Sequence, residues 1–148
     1  EVKRTHGTYL HISATLHSSG VPWQAAPSAA KAGVDALSNV ICVELGPFGV
    51  RSNCIAPGFI AGTEGASRLV PKGSDDMVKA FIPAQRIGER TDIANAAVFL
   101  FSEAANWITG QVIAVDGGQM HFRSAWLPYP QSSLDPRSFK NLFPDLRL

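Results

Sequence analysis

Hydrophobic and polar positions change period several times along the chain, and the changes predict strands separated by helices. Short β-rich runs cover Gly7–Ala14, Val50–Ala56 and Gln111–Val115, and their length and composition are typical of strands. From Ala26 to Leu45, apolar residues recur every three or four positions, which predicts an amphipathic helix. A second helix is predicted over residues 91–102, where a threonine suits the N-cap. Strands that alternate with helices indicate an α/β protein with a parallel sheet covered by helices.

The predicted helix over residues 26–45 carries two kinds of apolar side chain. Periodic residues form its amphipathic face: Ala30, Val34, Leu37, Ile41 and Leu45. Small residues on another side allow a second helix or strand to approach closely: Ala25, Ala29, Ala32, Gly33 and Ala36. Packing within the chain and contact with a second subunit explain this small-residue side equally well.

Two segments lie outside the regular pattern. A polar, glycine-rich stretch follows the second strand and continues to about Gly73, and its place just beyond a strand end makes it a candidate lid. Residues 121–148 contain four prolines that interrupt any long periodicity. We therefore predict an irregular C-terminal extension there, with a short helix near Ser138–Leu142. Residues 1–120 are predicted to form part of a folded domain.

Composition and charge narrow the class of protein. With 148 residues and 45% hydrophobic content, the chain has enough apolar mass for a packed core. Its net charge of +1 is scattered along the sequence, which argues against nucleic acid as a partner. No apolar run approaches the roughly 20 residues that span a bilayer, so we expect no membrane partner. Glu1 opens the sequence without a methionine or a leader, and we expect an incomplete chain without a signal peptide.

The two cysteines, Cys42 and Cys54, lie in apolar stretches without CxxC spacing or a neighbouring histidine pair. This pattern argues against a metal site and against a disulfide framework, and it favours buried thiols. We expect a reducing compartment and no bound metal.

Ligands of an open parallel sheet bind beyond the carboxyl ends of its strands, which here are the loops after Ala14, Ala56 and Val115. Lys31 is the cation of the long helix nearest to these loops, and it lies among small apolar residues. A lysine in such a setting can donate a fixed hydrogen bond to a ligand hydroxyl. An exposed surface lysine fits the same spacing, so spacing alone leaves both interpretations open.

Several ordered blocks together resemble the second half of a short-chain dehydrogenase/reductase across roughly residues 7–118. Blocks in the family's order are more specific than a lone glycine motif. The resemblance implies the C-terminal part of a Rossmann-like doubly wound parallel sheet, in which residues 1–120 belong to a dinucleotide-binding domain. The matching blocks are the strand end around Ser13, the helix that carries Lys31, Asn53 with Pro57-Gly58, and Thr109-Gly110 with Asp116-Gly117-Gly118.

Two positions depart from the pattern of the carbonyl-reducing members of this family. Those members place a tyrosine before the lysine, where it donates a proton to the nascent alkoxide, and a serine further upstream. Here the positions four and seventeen residues before Lys31 hold Pro27 and Ala14, although Ser13 is adjacent to the second of them. Because proline has no proton to give, the sequence argues against an ordinary alcohol dehydrogenase or ketoreductase.

The 2,4-dienoyl-CoA reductases are a branch of this family that lacks the tyrosine, because their reaction makes no alcohol. In that branch, hydride from NADPH adds to the distal end of the conjugated diene, and the enolate takes a proton at the carbon next to the thioester. The protein contributes alignment and stabilisation of the charged thioester oxygen. Four runs are similar to the peroxisomal kind: SATLHSSGVPWQ, SAAKAGVDAL, VELGPFGVRSNCIAPG and GTEGASRL.

The resemblance also implies roles for particular residues. Lys31 is the implied catalytic residue, which hydrogen-bonds the ribose of the nicotinamide and fixes the hydride donor. Pro57, Gly58, Ile60 and Thr63 match the segment that passes the nicotinamide and pyrophosphate, where glycine permits close approach and Thr63 offers a hydroxyl. A plain strand-ending turn is the alternative for this segment. The family's phosphate loop, its cofactor-selecting residues and its proton-positioning aspartate are expected upstream of this sequence.

Other polar residues are weaker candidates for the chemistry. His11, His17 and His121 suit a structural or surface role better than that of an acid. Arg86 and Arg90 flank a glycine turn and can meet CoA phosphates, although solvated surface arginines are more common.

Three functional hypotheses remain open. The first is an NADPH-dependent reductase of 2,4-dienoyl-CoA thioesters in the β-oxidation of unsaturated fatty acids, with an acyl-CoA substrate and a homodimeric or homotetrameric assembly. A peroxisomal location has weak support from Leu146-Arg147-Leu148, which resembles the Ser-Lys-Leu address, and a cytoplasmic location is the alternative. The second hypothesis is a truncated, non-catalytic chain that acts through its interfaces. The third is a reductase of another conjugated or carbonyl substrate.

Overall fold

The computed structural model describes residues 7–21, 24–69 and 73–122. Short 3₁₀ turns occupy Gly46–Phe48, Glu103–Ala105 and Gln119–His121. The predicted alternation of strands and helices is confirmed. The strands and α-helices in chain order are β1 Gly7–Ile12, α1 Leu16–Ser19, α2 Ala25–Leu45, β2 Val50–Pro57, α3 Glu64–Leu69, α4 Asp75–Ala80, α5 Arg90–Phe101 and β3 Val112–Val115.

The described strands form one parallel sheet in the order β1-β2-β3, as predicted. Ile12 pairs with Ile55, and Pro57 pairs with Val115, so the carboxyl ends of all three strands meet at one edge of the sheet. The fold class is therefore α/β, with a parallel sheet as in a Rossmann-like domain.

The two faces of β2 differ in chemistry. Ile55 packs with Leu100 of α5 in the hydrophobic core. On the other face, the Ser52 hydroxyl lies 2.9 Å from the Ser38 hydroxyl of α2, and both side chains are buried. Because neighbouring residues of a strand point to opposite faces, α2 and α5 cover opposite sides of the sheet. Buried polar groups need hydrogen-bond partners, and the α2 side supplies them.

This arrangement corrects the predicted apolar face of α2. Leu37 is 53% exposed, and Ala30 is also exposed. The helix instead turns Lys31, Asp35 and Ser38 toward the sheet and the loop after β1. Hydrogen bonds to groups distant in sequence decide the orientation of this helix.

The bounds of several elements also differ from the prediction. β1 ends at Ile12 and not at Ala14, because the chain turns into α1 after Ser13 has donated one last hydrogen bond to the Ile55 carbonyl (2.7 Å). α5 is capped by Glu89 and not by a threonine. The carboxylate of Asp92 accepts the Glu89 N–H at 2.7 Å, which satisfies a free donor at the positive helix end.

The glycine-rich stretch predicted as a candidate lid is partly helical, since it contains α3. Within the described residues, no helix is long and apolar enough to cross a membrane. The described part of the predicted extension is His121, which closes the 3₁₀ turn Gln119–His121, and Phe122. The predicted short helix near Ser138–Leu142 lies outside the described residues.

Candidate active site

The three loops predicted to bind ligands surround one cavity at the carboxyl edge of the sheet. The cavity has a volume of about 720 Å³, which lies in the range of small-molecule and cofactor sites. The loop after β1 contributes Ser13 to Leu16, the end of β2 contributes Pro57 to Ile60, and Gln119 comes from the turn after β3. The structure therefore brings together strand ends that are distant in sequence.

Lys31 lines this cavity from the second turn of α2. Its ammonium nitrogen Nζ donates a hydrogen bond of 2.7 Å to the carbonyl oxygen of Ile12. An ammonium group has three donors, so two remain for a ligand in the cavity. The geometry places Lys31 at the cavity, and its role toward a ligand stays a prediction.

The positions at which carbonyl-reducing members of the family carry the tyrosine and the serine hold residues without a hydroxyl here, Pro27 and Ala14. Ala14 lines the cavity, whereas Pro27 is exposed in the first turn of α2 and is absent from the cavity lining. The neighbouring Ser13 is only 3% exposed, and its hydroxyl has no hydrogen-bond partner among the described residues. A ketone held beside Lys31 would thus meet no phenol from the usual position.

Gly58 has a structural reason to be glycine. A Cβ atom at this position would lie 2.6 Å from Cβ of Asp116 and 2.9 Å from Oε1 of Gln119. The same Gln119 oxygen accepts the N–H of Phe59 at 3.1 Å. The turn after Pro57 is therefore packed directly against the chain that leaves β3, and this packing excludes a side chain whether or not a cofactor approaches.

Contacts of Ile60 and Thr63 fix the conformation of the segment between β2 and α3. Ile60 is buried and forms an isolated parallel bridge with Gly88. The Thr63 hydroxyl donates to the Ile60 carbonyl (2.9 Å) and accepts the N–H of Ala66 (3.2 Å) at the start of α3. Thr63 also lines the cavity. Contact with a phosphate oxygen would require this hydroxyl to release the Ile60 carbonyl, because a hydroxyl has a single proton to donate.

Arg86 and Arg90, which the sequence did not distinguish as candidates for a phosphate contact, differ in their position relative to the cavity. Arg90 lines the cavity and donates to the carbonyl of Gly62. Arg86 is absent from this cavity, and its guanidinium binds both carboxylate oxygens of Asp92 at 2.7 and 2.8 Å. This hydrogen bonding, together with the bond from the Glu89 backbone, lowers the pKa of Asp92 to about 2. Arg90 is therefore the better placed of the two for an anionic ligand.

The three histidines that the structure describes fit structural roles. His11 stacks on Tyr9, and its Nε2 lies 3.2 Å from the Ser52 hydroxyl. His121 belongs to the turn after β3. His17 contacts the carboxylate of Asp35 on α2. None of the three lines the cavity.

Sequence patterns missed two functional candidates. Gln119 reaches the cavity and orders the turn after β2, and its position just beyond the third strand was a usable signal. Asp35 lies one helical turn after Lys31, but its partner His17 is brought to it by the tertiary fold alone. No group of three histidine, cysteine, aspartate or glutamate side chains within the described ranges is arranged to hold a metal.

The fold agrees with the comparison to known proteins. A family model described as enoyl-(acyl carrier protein) reductase matches residues 1–120. The chain belongs to the short-chain dehydrogenase/reductase family. A short-chain type dehydrogenase/reductase from Mycobacterium ulcerans superposes with a TM-score of 0.71 and 36% identity, over 96% of this chain and 50% of that protein.

The relatives of this short-chain dehydrogenase/reductase include enzymes of the predicted branch. The peroxisomal 2,4-dienoyl-CoA reductase of Saccharomyces cerevisiae, named as producing (3E)-enoyl-CoA, is 52% identical over 121 residues. The match covers 82% of this chain and 41% of that relative. A structure of ElxO with NADP bound has a TM-score of 0.68 and 32% identity, over 77% of this chain and 46% of that protein. The chain thus spans less than half the length of the curated relative it matches.

Proposed function

We propose that this chain forms the lysine-bearing part of an NADPH-dependent 2,4-dienoyl-CoA reductase. The observation that carries the proposal is the contrast between Lys31 and Pro27. Lys31 lines the cavity and is fixed by the Ile12 carbonyl. Pro27 occupies the position of the family's proton donor and stays outside the cavity. A site with the positioning cation and without the oxygen-directed acid suits reduction of a conjugated carbon system better than reduction of a ketone.

The described residues fit the nicotinamide end of the cofactor. The cavity lies at the carboxyl ends of parallel strands, where dinucleotides bind in such sheets. Lys31 has donors left for ribose hydroxyls, and Pro57, Gly58, Ile60 and Thr63 are the proposed contacts along the turn. When bound, NADPH supplies a hydride to the substrate. The NADP-bound structural relative supports a nicotinamide cofactor, and the preference for NADPH is part of the proposal.

The cavity also has features that suit an acyl thioester. Leu16, Val21 and Ile93 provide apolar lining, while Arg90 provides a cation for an anionic group such as a CoA phosphate. In the proposed reaction, hydride is added at C5 of the dienoyl chain and a proton at C2. The remaining double bond then lies between C3 and C4, as in the product that the yeast relative's name specifies.

Lys31 acts by orientation in this proposal. Its hydrogen bond to Ile12 fixes the ammonium group before a ligand binds, which lowers the entropic cost of aligning donor and acceptor carbons. Its positive charge also favours the form of the substrate in which the thioester oxygen carries negative charge. The proton for C2 comes from a group outside the described residues.

Two further properties are proposed with this function. Exposed apolar residues on the outer side of α2, Leu37, Val40 and Val43, support assembly into a homodimer or homotetramer. The peroxisomal name of the yeast relative supports a peroxisomal location. The terminal residues Leu146–Leu148 lie outside the described part of the chain.

Product analysis with the full-length protein tests the proposed function. The protein is incubated with NADPH and a 2,4-dienoyl-CoA, and the product is identified by mass spectrometry and nuclear magnetic resonance. We expect consumption of one NADPH per substrate and a 3-enoyl-CoA product. A 2-enoyl-CoA product, or no NADPH consumption by a folded protein, would contradict the proposal.

A further inference from the structure

One helix holds both ends of the loop Ser13–Leu16. At the start of the loop, Nζ of Lys31 donates to the carbonyl of Ile12 at 2.7 Å. At its end, Oδ2 of Asp35 lies 2.7 Å from Nε2 of His17. Lys31 and Asp35 are four residues apart in α2, so the same side of the helix makes both contacts.

The His17–Asp35 contact is largely shielded from solvent. The two side chains are 19% and 14% exposed. Nδ1 of His17 and Oδ1 of Asp35 are also buried and have no hydrogen-bond partner in the described part of the chain. Each side chain therefore has the other as its main polar partner. Removal of either one leaves a poorly solvated polar group, which favours displacement of the loop.

Among the described residues, His17 is the basic side chain that pairs with Asp35. The pKa of the Cys54 thiol in β2 is raised, mainly by burial. Asp35 raises it further, and a hydrogen bond with Ser38 lowers it. Lys31 is on the same side of α2, but its Nζ is bound to Ile12. His17 is thus the group that ties Asp35 to the loop.

The loop held in this way forms one wall of the cavity. Ser13, Ala14, Thr15 and Leu16 line it, and Val21 lines it just beyond α1. His17 and Asp35 themselves are absent from the lining. Any effect of this pair on a ligand must therefore act through the position of the wall.

We propose that Asp35 is a positioning residue that, through His17, holds the wall Ser13–Leu16 in place for the acyl chain of the substrate. The inference rests on the proposed function for the identity of the acyl substrate. The position of the wall is a property of the protein alone, so it can be measured without substrate.

Amide hydrogen exchange of the full-length protein tests the position of the wall. The unmodified protein is compared with His17→Ala and Asp35→Ala. We expect exchange in residues 13–21 to be about tenfold faster in both variants, with unchanged exchange in α5, because the lost contact is local. His17→Gln keeps an N–H donor for Asp35 and should restore most of the protection, and it replaces His17→Ala if that variant fails to fold.

Steady-state kinetics tests the consequence for the substrate. The KM for a 2,4-dienoyl-CoA should rise about tenfold in His17→Ala and Asp35→Ala, with a change in kcat of less than about threefold, since the wall aligns the acyl chain and supplies no reacting group. The double variant should be no worse than either single variant, as expected for two residues that act as one unit. Lys79→Ala, which removes the exposed Lys79–Asp76 pair on α4, is the control and should change neither constant.

The outcomes separate this inference from the proposed function. Unchanged exchange in residues 13–21, or additive effects of the two substitutions on KM, overturns the positioning role. Faster exchange throughout α5 also overturns it, because the pair then serves general stability. If the unmodified protein reduces no dienoyl-CoA, the proposed function fails, and the exchange measurement alone decides whether the pair holds the wall.

Discussion

Lys31 and Ile12 are joined by a hydrogen bond of 2.7 Å that links the helix α2 to the carboxyl end of β1. The bond places an ammonium group at the cavity and leaves part of its donor capacity for a ligand. A fixed cation in this position costs little reorganisation when a ligand binds, and this is the basis of its proposed role.

Substitution Lys31→Ala in the full-length protein should lower kcat/KM for a 2,4-dienoyl-CoA by about 100-fold or more, the range for loss of a positioned polar group. The fold should persist, because the side chain makes one hydrogen bond to a carbonyl at the rim of the cavity. Stopped-flow or steady-state oxidation of NADPH measures the effect. Wild-type activity in Lys31→Ala would show that the lysine has no part in the reaction.

Gly58→Ala should destabilise the protein by about 1–3 kcal/mol, the usual cost of overpacking. The added methyl group would lie 2.6 Å from Cβ of Asp116 and would therefore overlap it. Urea unfolding of the full-length protein measures the loss. Gly46→Ala is the matched control, because the space around a Cβ at Gly46 is open, and it should leave the free energy of unfolding nearly unchanged or slightly higher. Equal stability of the two variants would contradict the packing described for the turn.

The carboxyl of Asp92 should titrate at a pKa of about 2, because Arg86 and the Glu89 backbone stabilise its charged form. Since this pKa is below the ordinary value of 3.8 for an aspartate, the pair stabilises the folded state above about pH 4, and the contribution is lost as the pH falls toward 2. Arg86→Gln should move the pKa upward toward the ordinary value, as followed by nuclear magnetic resonance. The control Lys79→Gln should leave it unchanged. The same Asp92 pKa with and without the guanidinium would refute this assignment.

The outer side of α2 is predicted to be a subunit interface. Val40 and Val43 are 50% and 75% exposed, and a closed homo-oligomer would remove such apolar groups from water. The full-length protein should therefore have the mass of a dimer or tetramer in light scattering at micromolar concentration. Val43→Asp should weaken the assembly, whereas Lys79→Asp on α4 should not. A monomeric mass for the unmodified protein would exclude this interface.

Short-range patterns were sufficient for the three strands and the two long helices, but not for the short helices α1, α3 and α4. Strand composition predicted β1, β2 and β3, and helical periodicity predicted α2 and α5. The meeting of the strand ends at one site was predicted because ligands of open parallel sheets bind beyond the carboxyl ends of the strands. These features depend on periodicity and chain order, both of which are visible in a sequence.

The periodicity of apolar residues does not predict contacts between residues that are distant in sequence. Apolar spacing selected Leu37 for the buried face of α2, yet Ser38 is buried instead because Ser52 provides its hydrogen-bond partner. The His17–Asp35 contact likewise depends on the turn of the chain through α1. The resemblance implied that Gly58 permits close approach of a cofactor, with a strand-ending turn as the alternative, and its closest neighbours in the fold are Asp116 and Gln119.

Restoration of the missing phenol offers a direct check on the proposed chemistry. Pro27→Tyr should not rescue a Lys31→Ala enzyme, because the proposed product is protonated at carbon and the phenol would be directed at an oxygen. The measurement is dienoyl-CoA reduction by the double variant, with Pro27→Phe in place of Pro27→Tyr as the control for ring size. Recovery of activity with Tyr and not with Phe would indicate that a phenolic proton donor serves the reaction.

The most direct test of the central claim compares two substrates of the same full-length protein. Initial rates of NADPH oxidation are measured with a 2,4-dienoyl-CoA and with a 3-ketoacyl-CoA of equal chain length. Since Pro27 replaces the acid that an alkoxide product requires, kcat/KM for the dienoyl thioester should exceed that for the ketone by about 100-fold or more. An equal or higher kcat/KM for the ketone would contradict the account.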